Sequence, residues 1–113
     1  MHEYSIVQAL IGRGEEEARA RRAQAVHAVT VRLGALSGVE PELLASAYGL
    51  CREGTLCGGA ELTIERAEAR WACPACDWPI AKGDVLRCPG CGVAARLLGG
   101  DEIVLERIEM EVA

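Results

Sequence analysis

From Val26 to Leu33 the chain alternates, with Val29, Val31 and Leu33 on one face and Thr30 and Arg32 on the other, until Gly34 breaks the run. A period of two predicts a half-buried strand. Before it, Val7, Leu10, Ile11, Gly14 and Ala18 recur at helical spacing, and Ser5-Ile6-Val7-Gln8 has the S-x-x-Q form of a capping box, so the pattern predicts a helix over residues 5–22. Glu15 stands four residues before Arg19 and Glu17 four before Arg21, the spacing of ion pairs on a solvated face. A second helix is predicted to open at Pro41, with Leu43, Leu44, Ala47, Tyr48, Leu50 and Cys51 as its buried stripe and Gly54 as its stop. After Gly58-Gly59 turns the chain, Ala60, Leu62 and Ile64 alternate with Glu61, Thr63 and Glu65 in a second strand. A last strand runs from Ile103 to Val112, where Ile103 and Leu105, then Ile108 and Met110, change phase as they would at a bulge.

Between those last two strands lie Cys73-Pro74-Ala75-Cys76 and Cys88-Pro89-Gly90-Cys91, separated by eleven residues. A C-P-x-C segment folds into a tight knuckle that turns both sulfurs inward, and two facing knuckles supply a tetrahedral all-sulfur cage, the donor set of a structural Zn(II) site. The expected fold class is therefore α+β: two helices on a small three-stranded sheet, with an inserted rubredoxin-like zinc ribbon. Residues 1–67 and 98–113 are read as the core and 68–97 as the ribbon, with Gly99-Gly100 as the return hinge. Beyond the duplicated knuckle there is no internal repeat and no low-complexity stretch.

Composition narrows the function. At 113 residues the chain is one domain's worth, and with two Trp, two Tyr and no Phe its core must be built from Leu, Ile, Val and Ala. The formal charge of −5 becomes about −7 with zinc held by four thiolates, and within residues 73–92 Lys82 and Arg87 are offset by Asp77 and Asp84. An acidic surface without a basic stripe repels phosphate backbones, which argues against nucleic acid as a partner. The start Met1-His2-Glu3-Tyr4-Ser5 lacks the basic and apolar regions of a leader, and no stretch approaches the length of a membrane span. Cytoplasmic location is the expectation, and metal-spaced thiols fit a reducing compartment.

His2 adds a second metal chemistry. A large second residue blocks removal of Met1, so the α-amine of Met1, the His2 amide nitrogen and the His2 imidazole can close adjacent chelate rings on one ion, with the Glu3 amide as a fourth nitrogen. Such a square-planar nitrogen set suits Ni(II) or Cu(II) better than Zn(II). The first amides of a helix lack intrahelical acceptors, which leaves them free for such use.

Met1-His2-Glu3, a leucine-rich two-helix core, Gly54-Thr55 after the second helix and the inserted CxxC pair together resemble the HypA/HybF family of hydrogenase nickel-incorporation proteins, across essentially the whole chain. The resemblance implies a nickel metallochaperone, not an enzyme. It implies Ni(II) as cargo held by Met1, His2 and Glu3, structural Zn(II) held by Cys73, Cys76, Cys88 and Cys91, and delivery to the [NiFe]-hydrogenase large subunit, with urease served by some members. It also implies a HypB-type GTPase as partner, in keeping with the absence of any GxxxxGK[ST] loop here, and a monomer or weak homodimer. Tyr4, where Leu or Met is more usual, and a short gap between knuckles are departures that remove no ligand.

Two rivals share the cage: a zinc-ribbon nucleic-acid or protein adaptor, and a rubredoxin-like electron carrier, since four thiolates also accept iron. No Ser/His/Asp or Cys/His nucleophile arrangement is legible. His27 is read as a solvated strand residue, Cys51 as a small core residue and Cys57 as a loop thiol beside Gly58-Gly59. Trp71 and Trp78, flanking the first knuckle, are expected to shield its sulfurs from water.

Overall fold

A computed structural model describes residues 2–112. It contains α1 (His2–Ala20), β1 (Ala23–Gly34), α2 (Pro41–Cys51), β2 (Glu61–Ala67), β3 (Arg70–Ala72), β4 (Pro79–Ile80), β5 (Arg96–Gly99) and β6 (Ile103–Val112). These form two three-stranded sheets, ordered β2-β1-β6 and β4-β3-β5. The first is the core sheet, in which α2 serves as the crossover between parallel β1 and β2. The second, inserted between β2 and β6, is the ribbon, and the α+β fold class follows from this arrangement.

α1 starts three residues earlier than its capping-box pattern predicts and ends two residues earlier. Ser5 lies inside the helix, so its hydroxyl is not the cap, and Glu3 occupies the first turn, where its charge complements the positive end of the helix dipole. The helix stops because Arg22 takes a left-handed conformation, φ 54°, which turns the chain into β1. α2 opens at Pro41 as expected, but it buries only Leu44, Ala47 and Tyr48, and leaves Leu43 and Leu50 55% and 67% exposed. The reason is angular: Leu44, Ala47, Tyr48 and half-buried Cys51 share one helix face, and Leu43 and Leu50, seven residues apart, fall outside it. Among the described residues no helix is long and apolar enough to cross a membrane.

In the core sheet Val29 faces Leu62 and Val31 faces Ile64 across the parallel pair, while Val29, Val31 and Leu33 meet Ile108, Leu105 and Ile103 across the antiparallel one. The pairing passes from Thr30–Arg107 to Val31–Leu105, so Glu106 is the extra residue of a bulge. That bulge explains why the apolar phase of β6 switches. Thr30, expected on a half-exposed face, is only 6% exposed because β1 is the central strand, with neighbours on both sides. Tyr48 and Arg52 both donate to the Ala60 carbonyl at 2.9 Å, tying the end of α2 to the approach of β2.

The two sheets meet at the end of β1. Gly34 N–H donates to Glu102 at 2.8 Å, Ala35 N–H to Ala67 at 2.8 Å and Leu36 N–H to Gly100 at 2.7 Å, so one segment grips both chain crossings into the ribbon. A Cβ on Gly34 would lie 2.2 Å from the Gly100 carbonyl oxygen, and one on Gly100, at φ 101°, would lie 2.5 Å from the Ala69 Cα. Gly99-Gly100, read from sequence as a hinge, is thus a close backbone crossing. Gly34→Ala is expected to destabilise the protein by about 1–3 kcal/mol or more through this overlap. Gly49→Ala, in α2 with open space around its Cβ position, is expected to stabilise it by about 0.5–1 kcal/mol. Chemical denaturation of the two variants checks both signs.

Candidate metal centre

The cage is built by two knuckles with the same backbone recipe. Cys73 O accepts from Asp77 N–H and Cys88 O from Gly92 N–H, both at 2.9 Å, while Cys73 N–H donates to Trp78 O and Cys88 N–H to Val93 O, also at 2.9 Å. Each knuckle needs a left-handed residue four places after its first cysteine, supplied by Asp77 at φ 57° and Gly92 at φ 76°. Asp tolerates that region better than most residues, and glycine does so freely. Arg87 Nη1 donates to Gly92 O at 2.9 Å and braces the second knuckle, a contact with no signal in the sequence.

All four sulfurs, of Cys73, Cys76, Cys88 and Cys91, lie within 4.8 Å of one another, and Cys73 Sγ is 3.5 Å from Cys91 Sγ. A tetrahedron with metal–sulfur bonds of about 2.3 Å has edges of about 3.8 Å, so the donor set fits a four-coordinate ion. Backbone N–H groups of Ala75 and Cys76 point at Cys73 Sγ at 3.4 and 3.3 Å, and Gly90 N–H points at Cys88 Sγ at 3.3 Å. These bonds orient the sulfurs and share their charge.

Without a cation the four thiols cannot all ionise. The Cys76 N–H, opposed by burial and helped by Ala75 N–H, draws the Cys73 thiol down to about 7. Crowding by Cys91 and then Cys73 pushes Cys76 up to about 12. A bound divalent ion reverses that repulsion, because it supplies the positive charge toward which all four sulfurs converge.

The two flanking tryptophans differ. Trp78 is 53% exposed and joins the knuckle through its backbone carbonyl, whereas Trp71 lies half-buried in β3 opposite Ile80 and Leu97. Short strands leave too little surface to bury two indoles. Cys57 does lie in the turn after α2, but it is fully buried, and a Cβ on Gly14 would meet its sulfur at 3.3 Å, so it packs α1 against that turn. Burial raises its thiol, with Glu15 adding to the shift. Glu15 itself does more than pair with Arg19 at 3.7 Å, since it accepts from Leu56 N–H at 3.1 Å. Glu17 is shared by Arg21 and Arg13, which hold its carboxyl below the usual range. His27 is solvated, 3.7 Å from Glu111.

The N-terminal set is a different case. Met1 and the side chain of His2 lie outside the described residues, while the backbone of His2 opens α1 and Glu3 is half-buried in its first turn.

A small α+β core carrying an inserted ribbon with a four-cysteine metal-binding site defines a metal-handling protein. A family model described as hydrogenase/urease nickel incorporation, metallochaperone, HypA matches residues 1–110. The hydrogenase maturation factor HypA of Aquifex aeolicus (strain VF5) is 40% identical over 114 residues, covering 99% of each chain. That of Nitrosospira multiformis is 42% identical over 112 residues, covering 97% of each. The solution structure of the Ni metallochaperone HypA from Helicobacter pylori superposes with a TM-score of 0.77 at 30% identity, covering 98% of each chain. The chain belongs to the HypA family of hydrogenase nickel-incorporation metallochaperones.

Proposed function

We propose that this chain captures Ni(II) at its N-terminus and delivers it to the large subunit of [NiFe]-hydrogenase during maturation, acting as a carrier and not an enzyme. The observation that carries the reading is the family match running through residues 1–110 with Met1-His2-Glu3 at its head. The Met1 amine, the His2 amide and imidazole and the Glu3 amide form the nickel set, and the start of α1 at His2 supports it by leaving those first amides without helical acceptors. An exposed terminal site releases its ion as readily as it captures it, whereas a buried cage would retain it.

Cys73, Cys76, Cys88 and Cys91 hold Zn(II), whose role is structural: it folds the ribbon, residues 68–97, as a rigid platform beside the nickel-binding core of 1–67 and 98–113. A HypB-type GTPase supplies the nucleotide chemistry, in the cytoplasm, and urease is a second client. Between the knuckles, within residues 73–92, both cations are engaged, Lys82 with Glu68 at 2.6 Å and Arg87 with the Gly92 carbonyl, and with the chain's charge of −5 this supports a protein and not a nucleic acid as the docking partner.

Transfer is the test. The nickel-loaded chain is mixed with nickel-free hydrogenase large subunit, with and without the GTPase, and nickel is measured on each protein after separation. Nickel should move to the large subunit under chelator concentrations that strip free ion. Nickel that stays on the carrier, or moves to apo-urease alone, overturns the proposed client.

A further inference from the structure

We propose that the Cys76–Cys91 edge of the cage is a site of oxidative modification, at which a hydroperoxide joins the two thiolates in a disulfide and thereby ejects the metal. This rests on the reading that the four cysteines hold zinc. The cage is lopsided: Cys73 and Cys88 are 1% and 3% exposed, whereas Cys76 and Cys91 are open to solvent. The backbone favours the inner pair too: the short N–H contacts from Ala75, Cys76 and Gly90 go to Cys73 and Cys88, whereas of the outer pair Cys91 receives one from Val93 and Cys76 none. An N–H···S bond withdraws charge from a sulfur and burial denies a reagent its line of approach, and both effects protect the inner pair. Trp78, two residues after Cys76, is itself 53% exposed.

The chemistry balances with a hydroperoxide as the oxidant. One outer thiolate attacks the nearer peroxide oxygen, the O–O bond breaks, and a sulfenic acid forms as the alkoxide or hydroxide leaves. The second outer thiolate attacks the sulfenic sulfur, forming the S–S bond and expelling hydroxide. Two electrons pass from the sulfurs to the peroxide, and solvent protonates both leaving oxyanions. With all four sulfurs already within 4.8 Å, closing one pair to a bond of about 2.05 Å takes a small movement. The ion then keeps only Cys73 and Cys88 and loses its tetrahedral set. Because the apolar core cluster contains no ribbon residue, such oxidation disables the ribbon while leaving the core that carries the N-terminus folded. A dithiol and fresh zinc restore it.

The experiment uses the full chain, its zinc content measured first. Hydrogen peroxide is added in steps with a chromogenic zinc chelator present, free thiols are capped, and the disulfides are mapped by mass spectrometry. A Cys76–Cys91 disulfide should accumulate at the rate of zinc release, one for each ion. In parallel, limiting maleimide without oxidant should label Cys76 and Cys91 at least about tenfold faster than Cys73 and Cys88. Labelling or oxidation that begins at Cys73 or Cys88, a first disulfide involving Cys51 or Cys57, or zinc release with no disulfide overturns the proposal. A chain isolated and reconstituted with no zinc at all defeats the metal assignment instead, so the two failures are distinct.

Discussion

Cys73→Ser or Cys91→Ser is expected to release the metal and unfold the ribbon while the β2-β1-β6 core stays folded. The ribbon has almost nothing else to hold it. Its strands are three, two and four residues long, its buried side chains are Ala72, Cys73 and Cys88, and Trp78, Val85, Leu86, Val93 and Leu98 are all at least 42% exposed. A lobe with so little apolar burial relies on metal binding, on the order of 10–16 kcal/mol for a structural zinc site, as its folding energy. The core cluster runs from Val7 and Ile11 through Val29, Val31 and Leu33 to Leu44, Tyr48 and Cys57, so its cooperative transition should survive. Metal analysis and amide spectra of the two variants are the measurement. Full zinc content in both would sink the assignment. Acid should mimic the substitution, since protons compete with the metal for each sulfur and zinc is lost as pH falls.

His2→Gln is expected to abolish specific Ni(II) binding with zinc content and circular dichroism unchanged. The substitution removes the imidazole, the one side-chain nitrogen of the set, at a terminus that contributes little to core packing. A peptide extension before Met1 should have the same effect, because it turns the amine into an amide. Binding in the native chain should weaken as pH falls through the α-amine's value of about 7.7–8.0 and the imidazole's of about 6.5, where protons occupy both nitrogens. Calorimetric titration of the three proteins decides the matter. If nickel binds the variant or the extended chain as tightly as the native one, the site lies elsewhere.

Read by itself, the order of residues determined every element whose signal is local. Pro41 opened α2, Val29, Val31 and Leu33 turned inward from β1, and the phase change between Leu105 and Ile108 announced the bulge at Glu106, because each depends on one segment's own periodicity. Each half of the cage was legible for the same reason: a C-P-x-C knuckle closes on its own backbone, so spacing alone pairs its two sulfurs, and the fold then sets the two knuckles face to face.

Only the tertiary structure decided what depends on a neighbour distant in the chain. Cys57 became a core residue because Gly14 of α1 leaves room for its sulfur, and Glu15 became a bridge because Leu56 presents an N–H forty-one residues away. Leu43 and Leu50 stayed in water because α2 presses a different face inward, and Gly99-Gly100 became a tight crossing because Gly34 and Ala69 lie against it. Periodicity records which side chains share a face. It does not record which backbone lies against that face, and that depends on how the elements pack.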